Sequence, residues 1–309
     1  MSLLIRAVWR ESAARSSATP DHRSVKYPRD GGARRRFHAE RQRRSSMSHP
    51  PQPRIRTDIP HSARIWNFWM GGRDYYEVDR IAGEAGIDAY PGIRTMAVES
   101  RRFLIRTVRY LTAEAGIRQF LDVGTGLPTM QNTHEVAQGI APETKVVYVD
   151  NDPMVLAHAR ALLTSTTDEG VTTYIDADFN HPEDIVTAAR QVLNFTKPIA
   201  VMFHGVLGHA PTYRDVRRIV DTFMAAVPSG SYLVLNDGTT DDPAYVRLCE
   251  NYAQTGGAPY HPRTPAEIEG VFAGLELVPP GIVPIDRWRV DEPPEGESTS
   301  VRGGIGRKP

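Results

Sequence analysis

The residues of this chain best placed to do chemistry stand where short apolar runs break. Phe120-Leu121-Asp122-Val123-Gly124-Thr125-Gly126 sets an acid and two glycines at the end of the first run. The run at 145–149 ends on Asp150-Asn151, the run at 171–175 on Asp176-Ala177-Asp178-Phe179, and the run at 198–203 on His204. Glycines without a Cβ let a ligand approach the backbone. An acid closing the second strand accepts both hydroxyls of a ribose. Asp178 suits the exocyclic amino group of an adenine, with Ala177 or Phe179 supplying backbone or apolar contact. Asp122 is expected to order the glycine turn or to meet the amino end of a ligand through water. Single strand-end aspartates often only cap the next helix, and Asp152 before Pro153 reads that way. Acids at three successive turns form a stronger pattern than any one of them. His204 and His209 are the candidate bases, because imidazole titrates near neutrality.

The glycine pattern departs from the dinucleotide fingerprint. Gly124 and Gly126 are followed by Pro128 and Thr129, so the third glycine, which lets the helix pack close to the sheet, is missing. This counts against NAD or FAD. It counts less against S-adenosylmethionine (SAM), which carries no pyrophosphate. No Gly-x-x-x-x-Gly-Lys-Ser/Thr loop and no Gly-x-Ser-x-Gly elbow occurs. His204 and His209 do not share a helical face, and the single cysteine, Cys249, excludes a cysteine zinc site or a disulfide framework. No catalytic metal is expected.

A regular alternation positions these residues. Strands are expected at 119–123, 145–150, 171–175, 198–203 and 232–236, with helices at about 129–139, 152–163, 181–193 and 212–227. Near-continuous apolar strands separated by helices imply a parallel sheet covered on both faces. Helices at 241–254 and 264–274 follow, then closing strands at 274–278 and 299–305, which suggest an antiparallel hairpin at the sheet edge. Before the sheet, helices are expected at 77–86 and 94–115. The second of these carries an apolar stripe through Phe103, Leu104, Val108 and Leu111, and Arg101, Arg102, Arg106 and Arg109 read as its solvated face. The aromatic segment 62–76 turns on Gly71-Gly72 into Arg73-Asp74. Ile65, Phe68 and Trp69 have helical spacing, so the segment reads as a core-covering helix and as a lid, with Gly72, Arg73 and Asp74 addressing the ligand's charged end.

The 309 residues carry no formal net charge, but residues 1–46 hold twelve Arg and Lys against four Asp and Glu. That leaves the remainder acidic by about eight charges, which disfavours a nucleic-acid face. No apolar run approaches the roughly 20 residues that span a bilayer. The expected organisation is a disordered basic tail at 1–46, a Pro-rich linker at 47–60, an N-terminal helical lid segment at 61–116 and the α/β domain at 117–309. A cytoplasmic protein fits; monomer and homodimer both stay open.

Several of these pieces resemble an actinobacterial family of SAM-dependent methyltransferases long described as a domain of unknown function. The resemblance is carried by Trp69-Met70-Gly71-Gly72-Arg73-Asp74, by 120–129, by His134-Glu135-Val136-Ala137, by Val147 to Pro153, by Tyr174 to Asp178 and by the ending Gly303-Gly304-Ile305-Gly306-Arg307-Lys308. It implies a Rossmann-like class I methyltransferase: a seven-stranded, mostly parallel sheet with an antiparallel last strand, helices on both faces and an N-terminal helical lid. It also implies that the glycine turn, 122–126, holds the methionine part of SAM, Asp150 the ribose, and 176–179 the adenine side, with Asn151 beside Asp150 among the cofactor-binding candidates. Tyr75 and the loop Val206-Leu207-Gly208-His209 depart from that family's pattern, and the resemblance implies that the second of these, the loop 206–209, borders the methyl acceptor. The acceptor is expected to be an unidentified small molecule. A non-catalytic SAM or nucleoside binder and a NAD(P)-dependent reductase are the alternative readings.

Overall fold

The structure, a computed structural model, describes residues 55–309 apart from Met130, Leu163 and residues 293–297. The basic tail and the first part of the Pro-rich linker lie outside the described residues. Three helices come first: α1 (Ser62–Trp69), α2 (Glu77–Ala89) and α3 (Ile93–Ala113). Strands and helices then alternate as β1 (Gln119–Val123), α4 (Thr133–Ile140), β2 (Lys145–Asp150), α5 (Pro153–Leu162), β3 (Val171–Asp176), α6 (Pro182–Ala189), β4 (Ala200–His204), α7 (Tyr213–Ala226) and β5 (Tyr232–Gly238). After α8 (Pro243–Ala253) and α9 (Pro265–Val271) come β6 (Glu276–Leu277), β7 (Val283–Pro284) and β8 (Val301–Arg307).

The sheet runs β3-β2-β1-β4-β5-β8-β6, with β7 also paired to β8. β1 to β5 are parallel. β8 is antiparallel to β5 along seven residue pairs, from Tyr232↔Arg307 to Gly238↔Val301. The architecture is the mostly parallel sheet the alternation predicts, closed by antiparallel strands. The closing hairpin differs in detail: β8 enters between β5 and the two-residue β6, and β7 adds a strand the apolar pattern does not signal. The strand order reverses between β1 and β4, so the crevice beyond their carboxyl ends is where this topology leaves room for a ligand.

Alternation along the strands divides the core in two. Phe120, Ala200, Met202, Val234 and Ile305 pack with Phe103, Val108 and Leu111 of α3 and with Trp288. Leu121, Val201, Phe203 and Leu233 pack on the opposite face with Ile185, Phe223 and Ile268. Trp288 is fully buried, its ring edge-on to Phe103 at 5.5 Å. The segment carrying it changes the reading of α3. Arg102 and Arg109 are exposed as expected, but Arg106 Nε and Nη2 donate to the carbonyls of Trp288 and Ile285 at 2.9 and 2.6 Å. Helical periodicity marks only the face toward the sheet. It carries no information about a distant segment that covers the flank.

The glycines of β8 are packing requirements. A Cβ on Gly304 would lie 2.8 Å from the Gly281 carbonyl oxygen, a backbone atom with no freedom to move aside. Gly139 in α4 is exposed and would meet nothing within 4 Å. In denaturant unfolding, Gly304→Ala is therefore expected to lose about 1–3 kcal/mol through overpacking. Gly139→Ala should gain roughly 0.5–1 kcal/mol from helix propensity. Equal effects from the two substitutions would contradict the close cover of β8.

Candidate functional site

The chain leaves β1 through Gly124 (φ +73°) and Gly126 (φ +68°), both in the left-handed region that favours glycine. A Cβ on Gly124 would also fall 2.3 Å from Val206 Cγ2, in the loop after β4. The turn is tied to the end of β2. Gly124 N and Thr125 N donate to the Val149 carbonyl at 2.8 and 3.2 Å. Gly126 N donates to Asp150 Oδ2 at 2.8 Å, while Asp150 Oδ1 accepts from Asp152 N at 2.9 Å. Each carboxylate oxygen keeps a further lone pair. Burial raises the Asp150 carboxyl above its ordinary pKa, opposed by the Asp152 and Gly126 N–H donors and by His61.

A cavity of about 340 Å³ opens beyond these strand ends. Asp150, Asn151, Ala177, Asp178 and Phe179 line it beside β2 and β3, and Gly124, Thr125 and Gly126 beside β1. Ser100 and Arg101 of α3 line it together with His204 and Asn236. Ser62, Ala63 and Trp66 of α1, with Met70, cover it. A smaller cavity of about 40 Å³ shares Ser62, Trp66 and His209 with the first and is walled by Trp69, Tyr245, Tyr252 and Tyr260.

Three groups set the electrostatics. Arg101 donates through Nη2 to Asn132 Oδ1 at 2.9 Å, and burial lowers its pKa against the opposing pull of Asp122, Tyr148 and Glu135. His204 Nδ1 lies 2.5 Å from Asn236 Oδ1. Its Nε2 is buried and has no hydrogen-bond partner among the described residues. Burial brings the ring down to about 4. His209 Nδ1 lies 2.9 Å from the Pro259 carbonyl. That oxygen only accepts, so Nδ1 carries the proton and Nε2 the lone pair. Burial lowers the His209 pKa as well.

The covering helix is held by buried charge. Arg64, 3% exposed, pairs with the fully buried Asp79 at 3.4 Å and with Asp152 at 3.7 Å. His61 Nδ1 sits 2.9 Å from Asp152 Oδ2. Asp79 also accepts the N–H groups of His61 and Tyr76, each at 2.8 Å. Burial alone would raise Asp152, but the His61 ring, the Met154 N–H and Arg64 outweigh it and leave the pKa lowered.

The structure thus brings together Gly124, Thr125, Gly126, Asp150, Asn151, Ala177, Asp178, Phe179, His204 and His209 around one cavity. Five expected residues do not line it. Asp122 alternates inward on β1, where its Oδ2 accepts from Thr133 Oγ1 at 2.7 Å and burial pushes its carboxyl up to about 6. Asp176 ends the outermost strand and is exposed. Gly72, Arg73 and Asp74 lie past the covering helix, where Asn67 Oδ1 accepts the Asp74 N–H at 3.0 Å and His158 lies 3.4 Å from the Asp74 carboxylate. The helix before them reaches the cavity instead. Asp152 caps α5 as expected, its Oδ1 accepting the Met154 N–H at 2.6 Å, and in addition anchors α1. Sequence reasoning missed His61, Arg101 and Asn236; Trp66 lay in the expected lid segment but was not singled out. Asn236 ends the apolar run expected at 232–236, two residues short of the end of β5, and so carried the same run-end signal as the others; Arg101 carried none. Among the described residues no three His, Cys, Asp or Glu side chains are grouped to hold a metal, and no helix is long and apolar enough to cross a membrane.

A family profile described as S-adenosyl methyltransferase matches residues 48–309. A solved structure of a DUF574 family protein from Streptomyces avermitilis is 42% identical, with a TM-score of 0.79 over 83% of this chain and 100% of that one. A methyltransferase candidate from Thermobifida fusca is 40% identical, with a TM-score of 0.76 over 84% and 99% of the two chains. No curated protein matches.

The part-buried His204 ring, its Nε2 fully covered, yields a pH prediction. Its folded pKa of about 4 lies below the unfolded value of about 6.5. The unfolded chain therefore takes up the extra proton as pH falls. The stability due to this group is full above about pH 6.5 and is lost as pH drops toward 4. NMR titration should show the His204 ring inflecting near pH 4, and His204→Leu should flatten the acid limb of the stability curve. An inflection near 6.5 would contradict the burial.

Proposed function

The chain belongs to the S-adenosyl methyltransferase family, and from that premise we propose that it transfers the methyl group of SAM to a small-molecule acceptor beneath α1. The carrying observation is one cavity bounded by a carboxylate at the end of β2 and a guanidinium on α3. The donor set fits the cofactor. Asp150 has lone pairs left for two ribose hydroxyls. Asp178, whose Oδ1 accepts both the N–H and the Nδ2–H of Asn180 at 2.9 Å, keeps Oδ2 for the adenine amino group. Ala177 and Phe179 flank the base. The side-chain-free turn at Gly124 and Gly126 admits the methionine chain, and Arg101 pairs with its carboxylate.

SAM supplies an electrophilic methyl group on a sulfonium that is already a good leaving group, so the protein's part is largely positioning. Trp66 and Met70 cover the cavity and exclude water. His209 stands where the two cavities meet, with Nε2 as its free lone pair. Its lowered pKa keeps it neutral near pH 7, the form in which it takes a proton from an O–H or N–H acceptor.

Calorimetry with SAM, S-adenosylhomocysteine (SAH), NADH and NADPH tests the reading. SAM and SAH are expected to bind, the nicotinamides not. Asp150→Ala should weaken SAH by at least roughly tenfold, the range for hydrogen bonds to a charged group. Nicotinamide binding without SAM binding would overturn the proposal. SAM binding indifferent to Asp150→Ala would remove the ribose assignment alone.

A further inference from the structure

We propose that His204 receives the ammonium group of the cofactor's amino-acid end through Nε2, and that Asn236 positions it for this by fixing its tautomer. The proposal rests on SAM being the ligand of this cavity.

The direction of the side chain comes from the strand. Ala200, Met202 and His204 alternate onto the same face of β4, and the first two belong to the core shared with α3. The His204 ring meets Phe103 of α3 edge-on, with centroids 5.9 Å apart. His204 is therefore on the Arg101 side of the cavity, and Arg101 is near enough for its charge to disfavour a proton on the ring. The smaller aromatic cavity meets the larger one at Ser62, Trp66 and His209, without His204. The two histidines face different neighbours.

The tautomer comes from Asn236. Its Oδ1 only accepts, so the 2.5 Å contact requires the proton on His204 Nδ1. Nε2 is then an obligate acceptor. It is buried and without a partner among the described residues, an arrangement native proteins rarely leave unfilled. An amino acid carries a carboxylate and an ammonium on one carbon. Arg101 answers the carboxylate and repels the ammonium. Asp122, which would otherwise be the acid for the ammonium, is held by Thr133 and lies outside the cavity lining. The neutral lone pair of His204 fills that place. A proton-accepting role fits it less well, because a protonated imidazole would be a second buried cation next to Arg101.

Three ligands separate this role from the others: SAH, its deamino analogue with hydrogen in place of the amino group, and methylthioadenosine, which lacks the amino-acid end. Calorimetry on the full chain is expected to show His204→Leu weakening SAH by roughly ten- to a hundredfold, the range for a hydrogen bond to a charged group. The deamino analogue and methylthioadenosine should change by less than about twofold, which also reports that the variant is folded. His204→Gln, whose amide oxygen reaches the region of Nε2, should recover most of the SAH affinity. Unchanged SAH binding in His204→Leu overturns the proposal. So does an equal loss for all three ligands, which would make the residue structural. Binding of none of the three by the unaltered protein would defeat the SAM reading itself, a separate and recognisable failure.

Discussion

The Asp150 carboxylate is the point on which the site depends. One oxygen holds the backbone of the glycine turn through Gly126, and the other holds the start of α5 through Asp152. The ends of β1 and β2 would otherwise be two independent loops. Bound to one acid they become a single rigid edge, with Gly124 pressed against Val206 from the other side. A partly buried carboxylate keeps its charge at least cost while its oxygens are hydrogen-bonded. The same constraint therefore orders the turn and leaves outward lone pairs for a ligand.

The constraint extends into the cover. Asp152, two residues on, takes His61 and approaches Arg64, and Arg64 in turn pairs with Asp79. The path from the cavity-lining Asp150 to the covering helix is thus short and made of charged groups in low dielectric, where breaking any pair strands its partner. α1 adds apolar attachment on its other side. Ile65 and Trp69 belong to the core, and Trp69 Nε1 donates to the Gly83 carbonyl at 2.9 Å. Gly83 and Gly86 of α2 leave space for the rings of Phe68 and Trp69, which a Cβ would enter at 2.5 and 2.8 Å. The glycines of α2 and the aromatics of α1 are one packing solution, which is why Trp66 remains over the cavity.

What could be read from the sequence follows from the range of the interactions. The five parallel strands were legible because burial on both faces makes them apolar runs, and their polar ends mark the carboxyl edge where ligands bind. Asp150, Asp178 and both glycines came from that local rule. Arg101 and Arg106 did not, because their partners Asn132, Ile285 and Trp288 are far along the chain. The segment Gly72-Arg73-Asp74 drew attention by composition, yet the preceding helical turns, at Ser62, Ala63 and Trp66, reach the cavity. β6 falls within the strand expected at 274–278, whereas β7, at two residues, is too short to carry a period of two.

The missing third glycine acquires a physical meaning in the folded chain. In a dinucleotide site that glycine brings a helix N-terminus against the turn, so that its free N–H groups meet the pyrophosphate. Here α4 starts only at Thr133, and its first donors are already used. The Asn132 N–H goes to Glu135 at 2.8 Å and the His134 N–H to the Tyr148 hydroxyl at 2.9 Å. Leu127, in place of a close helix contact, packs with Met154 and Val155 beneath Ala63 and Tyr76. The turn has exchanged an anion site for an apolar plug under the cover. Such a turn suits a nucleoside whose 5′ substituent is an uncharged carbon–sulfur chain up to the sulfonium. The anion of such a ligand stands only at the far end of that chain, and Arg101 is the arginine in the cavity lining.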